Sequence, residues 1–385
     1  MEVKIVLGHT FGDEGKGVTV QWLCKKAIEE GKKPLVVRFS GGPQAAHTIF
    51  NRGTEHICSS FGSGVLLGVP TMYTEEVYMD PICLMNEFRT LQCKGVSPKL
   101  FRGVHRIITP YDVLAGRNNS KVISDGTCGK GIYPTFERYK HGQWTRVSFS
   151  LDKPEYILKC ASNYHKIERI PKYDDMFKKA CLEILTEVYS DKLSIKDYDV
   201  LIFEGTQGLL LDMDCGLYPN VTPSRVGLNG LRSSVLKDAE VYLVTRTYTT
   251  RHGNGYEPKH RLREPNKLAD KYESNIDNEF QGNFKTGILE MGLLNRAYER
   301  HCIDNYVKKY NMSLNLVVTH MDMTHIIDNE EYSIYSWDYL DNSGSPHYNI
   351  HGKEKILDTL VDNLCYVPDH VYYNDSVESN IKQLR

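Results

Sequence analysis

The chain has 385 residues, 41% of them hydrophobic, enough for a large core in one big α/β domain or two of ordinary size. Lys and Arg (47) nearly balance Asp and Glu (49), which argues against a nucleic-acid or membrane partner and leaves small anions held by local geometry. No apolar run approaches the roughly 20 residues of a membrane span; the 10 cysteines form no C-x-x-C pair and "MEVKIVLG" lacks the build of a signal peptide, so a reduced, cytoplasmic protein is expected.

In chain order, "VKIVL" (3–7), "PLVVRF" (34–39), "DVLIFE" (199–204), "EVYLVT" (240–245) and "LNLVV" (314–318) read as buried strands of a mainly parallel sheet. The first helix is expected over Val18 to Glu29, with Val20, Leu23, Cys24, Ala27 and Ile28 on one face and Gly31 ending it. The polar stretches 117–145 and 252–286 read as loops over one face. With no repeat, low-complexity tract or Pro/Gly linker to divide it, residues 1–385 are expected to form a single α/β domain with flanking helices.

Four strand ends carry unusual groups: "GDEGKG", "SGGPQAAHT", "EGTQG" and "THMD". Ligands of open parallel sheets lie beyond the carboxyl ends of the strands, so these loops imply one shared site. The first, "LGHTFGDEGKGV" (7–18), nearly matches the common phosphate loop G-x-x-x-x-G-K-[ST]. Gly15 and Lys16 supply the G-K, but Thr10 stands at the early glycine position and Gly17 where a hydroxyl would hold magnesium. What remains is a strand, a glycine turn and a helix amino end able to cradle phosphate, with Lys16 as a point charge. Asp13 and Glu14 inside that cradle would repel phosphate, which fits a magnesium ligand or a general base better than a solvated acidic turn.

Together these residues resemble the adenylosuccinate synthetase family, whose members join aspartate to inosine monophosphate using GTP. The likeness begins at "FGDEGKG" (11–17) and runs in order through "RFSGGPQAAHTI" (38–49), "GTCGKGIYP" (126–134), "FEGTQGLLLDMDCGLYPNVTPS" (203–224), "YTTRHGNG" (248–255) and "TGILE" (286–290). The resemblance implies a related α/β fold, a homodimer, and a two-step reaction: removal of the purine N1 proton with phosphorylation of O6, then displacement of phosphate by an amine.

Carried over position by position, the likeness makes Asp13 the base and a magnesium ligand, His47 the acid that stabilises charge on O6, and Lys16 a contact to the moving phosphoryl group. Gly12, Glu14, Gly15, Gly17, Ala46, Thr48, Thr319, His320 and Asp322 would line the nucleotide, with the Ala46 carbonyl a second magnesium ligand. Gln44, Ala45, Thr127, Cys128, Gln207 and Thr222 would hold the purine monophosphate.

Some positions depart from the family pattern. Gln44 stands for asparagine, Ala46 for glycine and Cys128 for threonine, and the arginine that reaches a neighbouring subunit's monophosphate has only Arg138 and Lys140 nearby. Between "NEF" and "TGILE" the arginine-rich grip on aspartate shrinks to "QGNFK", so Lys285 or Arg251 must hold the amino acid, or another amine is used. The guanine-reading lysine is His320, and the carboxyl-terminal loop of the family is replaced near "YYNDSVES" (372–379), which opens ATP as an alternative to GTP. A paralogue acting on another purine nucleotide such as (d)GMP, and a nucleotide-binding regulator without turnover, are the rival readings. The tyrosines read as half-buried packing and the charged run 24–33 as the solvated side of the first helix. In "HCIDNY" (301–306), His next to Cys is the wrong spacing for a zinc site.

Overall fold

A computed structural model describes residues 1–103, 105–119, 127–141, 150–190, 194–258, 283–323, 333–334, 348–349, 353–375 and 380–384. Among them, ten strands form one sheet in the order Ile381–Gln383, His370–Asn374, Ser313–Thr319, Glu240–Arg246, Glu2–Gly8, Val200–Gly208, Pro34–Arg38, Thr71–Tyr73, Leu100–Phe101, Tyr189–Ser190. Neighbours run parallel except the edge pair His370–Asn374 and Ile381–Gln383. The five strands expected from apolar runs occupy its centre.

These central strands are covered on both sides, which is why their sequences are nearly continuous apolar runs. In Glu2–Gly8, Ile5 and Leu7 point into a cluster with Leu35, Val37, Phe203, Leu243 and Leu293, while Val6 points oppositely, toward Val36, Ile202, Val244 and the first helix. That helix spans Lys16–Glu29 and buries Val20, Leu23, Cys24 and Ala27. It starts two residues before the expected Val18, because Gly15 takes the left-handed conformation (φ 90°) and turns the chain straight from loop into helix. Ile28 is 45% exposed rather than buried: it falls in the last turn, and Gln21 lies inside instead.

The stretch 117–145 is not all loop. Ile132–His141 is a helix packed on Pro110–Asn118, whose start is fixed by reciprocal bonds between Thr109 and Asp112. Arg138 points inward from it and is fully buried, its Nε 2.6 Å from Asp112 Oδ1 and Nη2 2.8 Å from Asp112 Oδ2. It is therefore held in the interior and does not reach outward to a neighbouring subunit. Most of 252–286 lies outside the described residues, as do 376–379 of the carboxyl-terminal stretch.

Candidate active site

Because Glu2–Gly8, Pro34–Arg38, Val200–Gly208 and Ser313–Thr319 belong to one parallel sheet, the loops that follow them emerge on one edge. Several glycines show how tightly those loops pack. A Cβ on Gly12 would lie 3.1 Å from the backbone N of Gly208 and 3.3 Å from Gln207 Cα; one on Gly17 would lie 2.8 Å from His47 Cβ. One on Gly15 would press on Thr319 at 3.0 Å. The phosphate-type loop, the His47 hairpin, Gln207 and Thr319 are thus brought together.

Inside the first loop Glu14 is 1% exposed and acts on the backbone. Its Oε1 accepts from Thr10 N at 2.9 Å and Gly12 N at 2.8 Å, and Oε2 sits 3.4 Å from Lys16 Nζ. Burial works to raise its pKa, but Lys16 and the loop N–H groups outweigh it and hold the carboxyl below the usual range. Lys16 Nζ also donates to Gly12 O at 2.6 Å, so the ammonium lies folded over the loop. Thr319 Oγ1 donates to Glu14 O at 2.7 Å and tethers the loop from the opposite side.

Asp13 keeps a partly exposed side chain. Its carbonyl accepts from Arg246 Nε, while Arg251, stacked over Phe11 at 5.2 Å, feels its charge. Burial lowers Arg251 to about 10, and Asp13 and Glu257 oppose that shift. Arg251 faces Lys285 directly across the antiparallel pair Tyr248–His252 and Phe284–Ile288. Lys285 Nζ binds Glu257, and Arg251 Nη2 and Nε bind Asn254 O. The two amino-acid candidates are therefore neighbours within one ribbon.

His47 begins the hairpin His47–Asn51/Thr54–Cys58 and is 7% exposed. Its Nδ1 lies 2.6 Å from Glu204 Oε1, midway along Val200–Gly208, and Glu204 is held in turn by Ser63 N at 3.0 Å and Ser63 Oγ. Glu204 fixes Nδ1 as the protonated nitrogen, which leaves Nε2 as the working atom; it meets no partner among the described residues. Burial lowers the His47 pKa, with Glu204 opposing.

The purine candidates ring the same edge. Gln207 Oε1 accepts from Thr206 Oγ1 at 2.7 Å, and a Cβ on Gly41 would meet it at 2.9 Å. Ala45 is buried, Ala46 exposed, Thr48 half-buried, and both amide atoms of Gln44 lack partners among the described residues. Tyr78 joins the outlying pieces: its N donates to Gly41 O at 2.8 Å and its OH to Pro223 O at 3.2 Å, next to Thr222. Gly42 packs on Ile132, the first residue of the helix that follows Thr127 and Cys128. Burial raises the Cys128 thiol. His320, at φ 60°, turns Nδ1 to Thr319 Oγ1 at 2.8 Å, and Asp322 lies in the short turn Met321–Met323.

Glu204, Arg246, Ser63 and Tyr78 were not singled out from sequence. Glu204 and Arg246 do carry a signal, a charge at or just past the end of an apolar run, 200–203 and 241–244. The Asp13 carboxylate and the Ala46 carbonyl are oxygen donors of the kind a hard cation such as magnesium takes, whereas both Glu14 oxygens are engaged within the loop.

Comparison with known proteins bears on the family and the fold. Curated adenylosuccinate synthetases of Francisella tularensis (strain SCHU S4) and Francisella philomiragia are 32% identical over 284 and 282 residues, 65% of this chain. The match spans 64% of the length of those relatives. In fold, the fully ligated adenylosuccinate synthetase of Plasmodium falciparum aligns with a TM-score of 0.75 at 18% identity, covering 100% of both chains. The succinoaminodeoxyadenylate synthetase of cyanophage S-2L, bound to dGMP and to dATP as an energy donor, aligns with a TM-score of 0.62 at 13% identity, covering 99% of this chain and 95% of that one. The sequence pattern of adenylosuccinate synthetase itself matches residues 5–329, from the first strand through every loop of the site, and the chain belongs to that family.

Proposed function

We propose that the chain is an NTP-dependent carbon–nitrogen ligase that phosphorylates O6 of a purine monophosphate and lets an amine displace the phosphate, with IMP, GTP and L-aspartate as the favoured substrates. The observation that carries this reading is the buried His47–Glu204 pair packed against the glycine loop that bears Asp13 and Lys16. Asp13 takes the N1 proton, which moves electron density onto O6. An anion arriving at Nε2 favours protonated His47, and Glu204 stabilises that imidazolium through Nδ1–H. O6 then attacks the γ-phosphorus, the nucleoside diphosphate leaves, and Lys16 swings from Gly12 O to the transferred phosphoryl oxygens. In the second step the amine nitrogen attacks C6, phosphate departs with the O6 oxygen, and the nitrogen gives up a proton. Magnesium, held by the Asp13 carboxylate and the Ala46 carbonyl, would supply charge neutralisation among the phosphates.

A second reading, (d)GMP with ATP or dATP, rests on position 320. His320 is drawn to Thr319 and lies edge-on to Tyr248 at 5.9 Å, so the lysine expected beside a guanine ring is replaced at that position by a histidine turned to its neighbours. Phosphate release measured with each purine monophosphate, each nucleoside triphosphate and aspartate separates the readings. Release that requires both nucleotides supports ligase chemistry. Binding without release in every combination would leave only the regulator.

A further inference from the structure

Two side chains of one turn after Val200–Gly208, Asp212 and Cys215, meet a third from a distant part of the sequence, His301. Asp212, Cys215 and His301 each offer one ligand atom, and these atoms lie within 4.8 Å of one another. His301 is 5% exposed and its Nε2 donates to Leu209 O at 2.9 Å, which makes Nδ1 the lone-pair nitrogen. Such a bond to a backbone carbonyl is the usual way a metal-binding histidine is oriented. Nδ1 accepts no hydrogen bond among the described residues, and it faces Gly227, where a Cβ would stand 2.5 Å away. The missing side chain leaves that lone pair accessible. Of the Asp212 oxygens, Oδ1 accepts from Asp214 N, Cys215 N and Asn229 Nδ2, whereas Oδ2 accepts only from Val226 N at 2.6 Å and keeps a lone pair. Asn229 Oδ1, in the same cluster, is buried without a partner among the described residues.

A second such group, His56, Cys58 and Glu87, shows the contrast. There both ring nitrogens are occupied, by Glu87 at 3.4 Å and Lys94 Nζ at 3.3 Å, and Glu87 is consumed by the N–H groups of Ser59, Ser60 and Phe61. Only the Cys58 sulfur is left over for an ion.

We propose that Asp212, Cys215 and His301 form a binding site for a borderline-soft transition-metal ion, zinc being the best fit, separate from the oxygen donors of the phosphate loops. A thiolate, an imidazole and a carboxylate oxygen around one point match zinc's tetrahedral preferences and not magnesium's, with a water in the fourth position. On binding, the Cys215 S–H proton leaves to solvent and the sulfur takes the metal. The ion would tie the end of helix Met291–Arg300 to the segment 212–216, whose Met213 N bonds Ser224 O at 3.1 Å close to Thr222.

The test is a cobalt titration of the full chain after chelator treatment. The expected result is about one equivalent bound with a thiolate-to-cobalt charge-transfer band, displaced by zinc, and a thermal midpoint that rises with zinc. Cys215→Ser abolishes the band and Cys365→Ser, an exposed control elsewhere, keeps it. His301→Asn weakens binding by at least the roughly 100-fold that loss of an outer partner can cost. Gly227→Ala, which blocks Nδ1 while keeping all three ligands, also abolishes binding, so the test does not rest on a ligand variant that fails to fold. A wild-type protein without the band, or a band that survives Cys215→Ser or Gly227→Ala, overturns the proposal.

Discussion

His47 Nδ1 lies 2.6 Å from Glu204 Oε1, with both side chains buried, so burial favours the neutral imidazole and this carboxylate opposes it. Glu204→Gln removes the partner of the imidazolium while keeping the shape. Turnover is expected to fall by about 10² to 10⁴, with purine KM nearly unchanged. The pH limb belonging to His47 should move to lower pH, because the group that opposes its burial-lowered pKa is gone. A KM effect as large as the kcat effect would instead mark Glu204 as part of the purine pocket.

Asp13→Asn is expected to cut turnover by about 10² to 10⁴ with the fold intact. His47→Asn should leave purine binding in place and eliminate the phosphorylated intermediate, because the histidine acts on charge that develops only in the transition state. Rapid-quench assays of intermediate alongside purine titrations separate these outcomes; unchanged turnover in Asp13→Asn would remove its role as base.

Guanine selectivity should be relaxed. Losing one or two buried polar contacts at roughly 1 to 3 kcal/mol each shrinks a preference by about ten-fold or more per contact. GTP and ATP are therefore expected to have kcat/KM values within about two orders of magnitude of each other. Strict dependence on either one would contradict the reading of His320.

Arg138 and Asp112 form a fully buried pair, with His165 Nε2 a further 2.8 Å from Asp112 Oδ1. Arg138→Met strands the carboxylate and should cost about 3 to 5 kcal/mol in urea unfolding, whereas the double variant Arg138→Met/Asp112→Leu should recover part of that loss. A neutral Arg138→Met would show that water reaches the pair.

Acid should destabilise the fold through His105. Burial pushes it from 6.5 down to about 4, so between those values the unfolded chain binds more protons than the folded one. The sign is a loss of stability as pH falls from about 6.5 toward 4, at up to about 1.4 kcal/mol per pH unit. His105→Phe should flatten that slope in denaturant melts at pH 4 to 7. An unchanged slope would assign the acid sensitivity to other groups, among them His9, which burial also lowers to about 4.

The sheet was readable because buried parallel strands have to be apolar along their whole length, and the convergence of the loops followed from strand direction alone. The helix start was not, since Gly15 reads the same as turn or cap until its φ is known. Ile28 fits the periodicity of Cys24 yet lies where the helix has ended its contact with the sheet. Partners fixed by tertiary packing were illegible: no local spacing joins Glu204 to His47, or His301 to the turn that holds Asp212 and Cys215. For that reason the neighbouring His301 and Cys302 pointed away from a metal reading.

The most direct test of the ligase account is to incubate the purified chain with magnesium, IMP, GTP and L-aspartate, and in parallel with dGMP and ATP, and weigh the nucleotide products. The account predicts a new species with the mass of purine monophosphate plus aspartate minus water, formed only with a nucleoside triphosphate and lost in His47→Asn. No new mass in any combination of purine monophosphate, triphosphate and amino acid would contradict it.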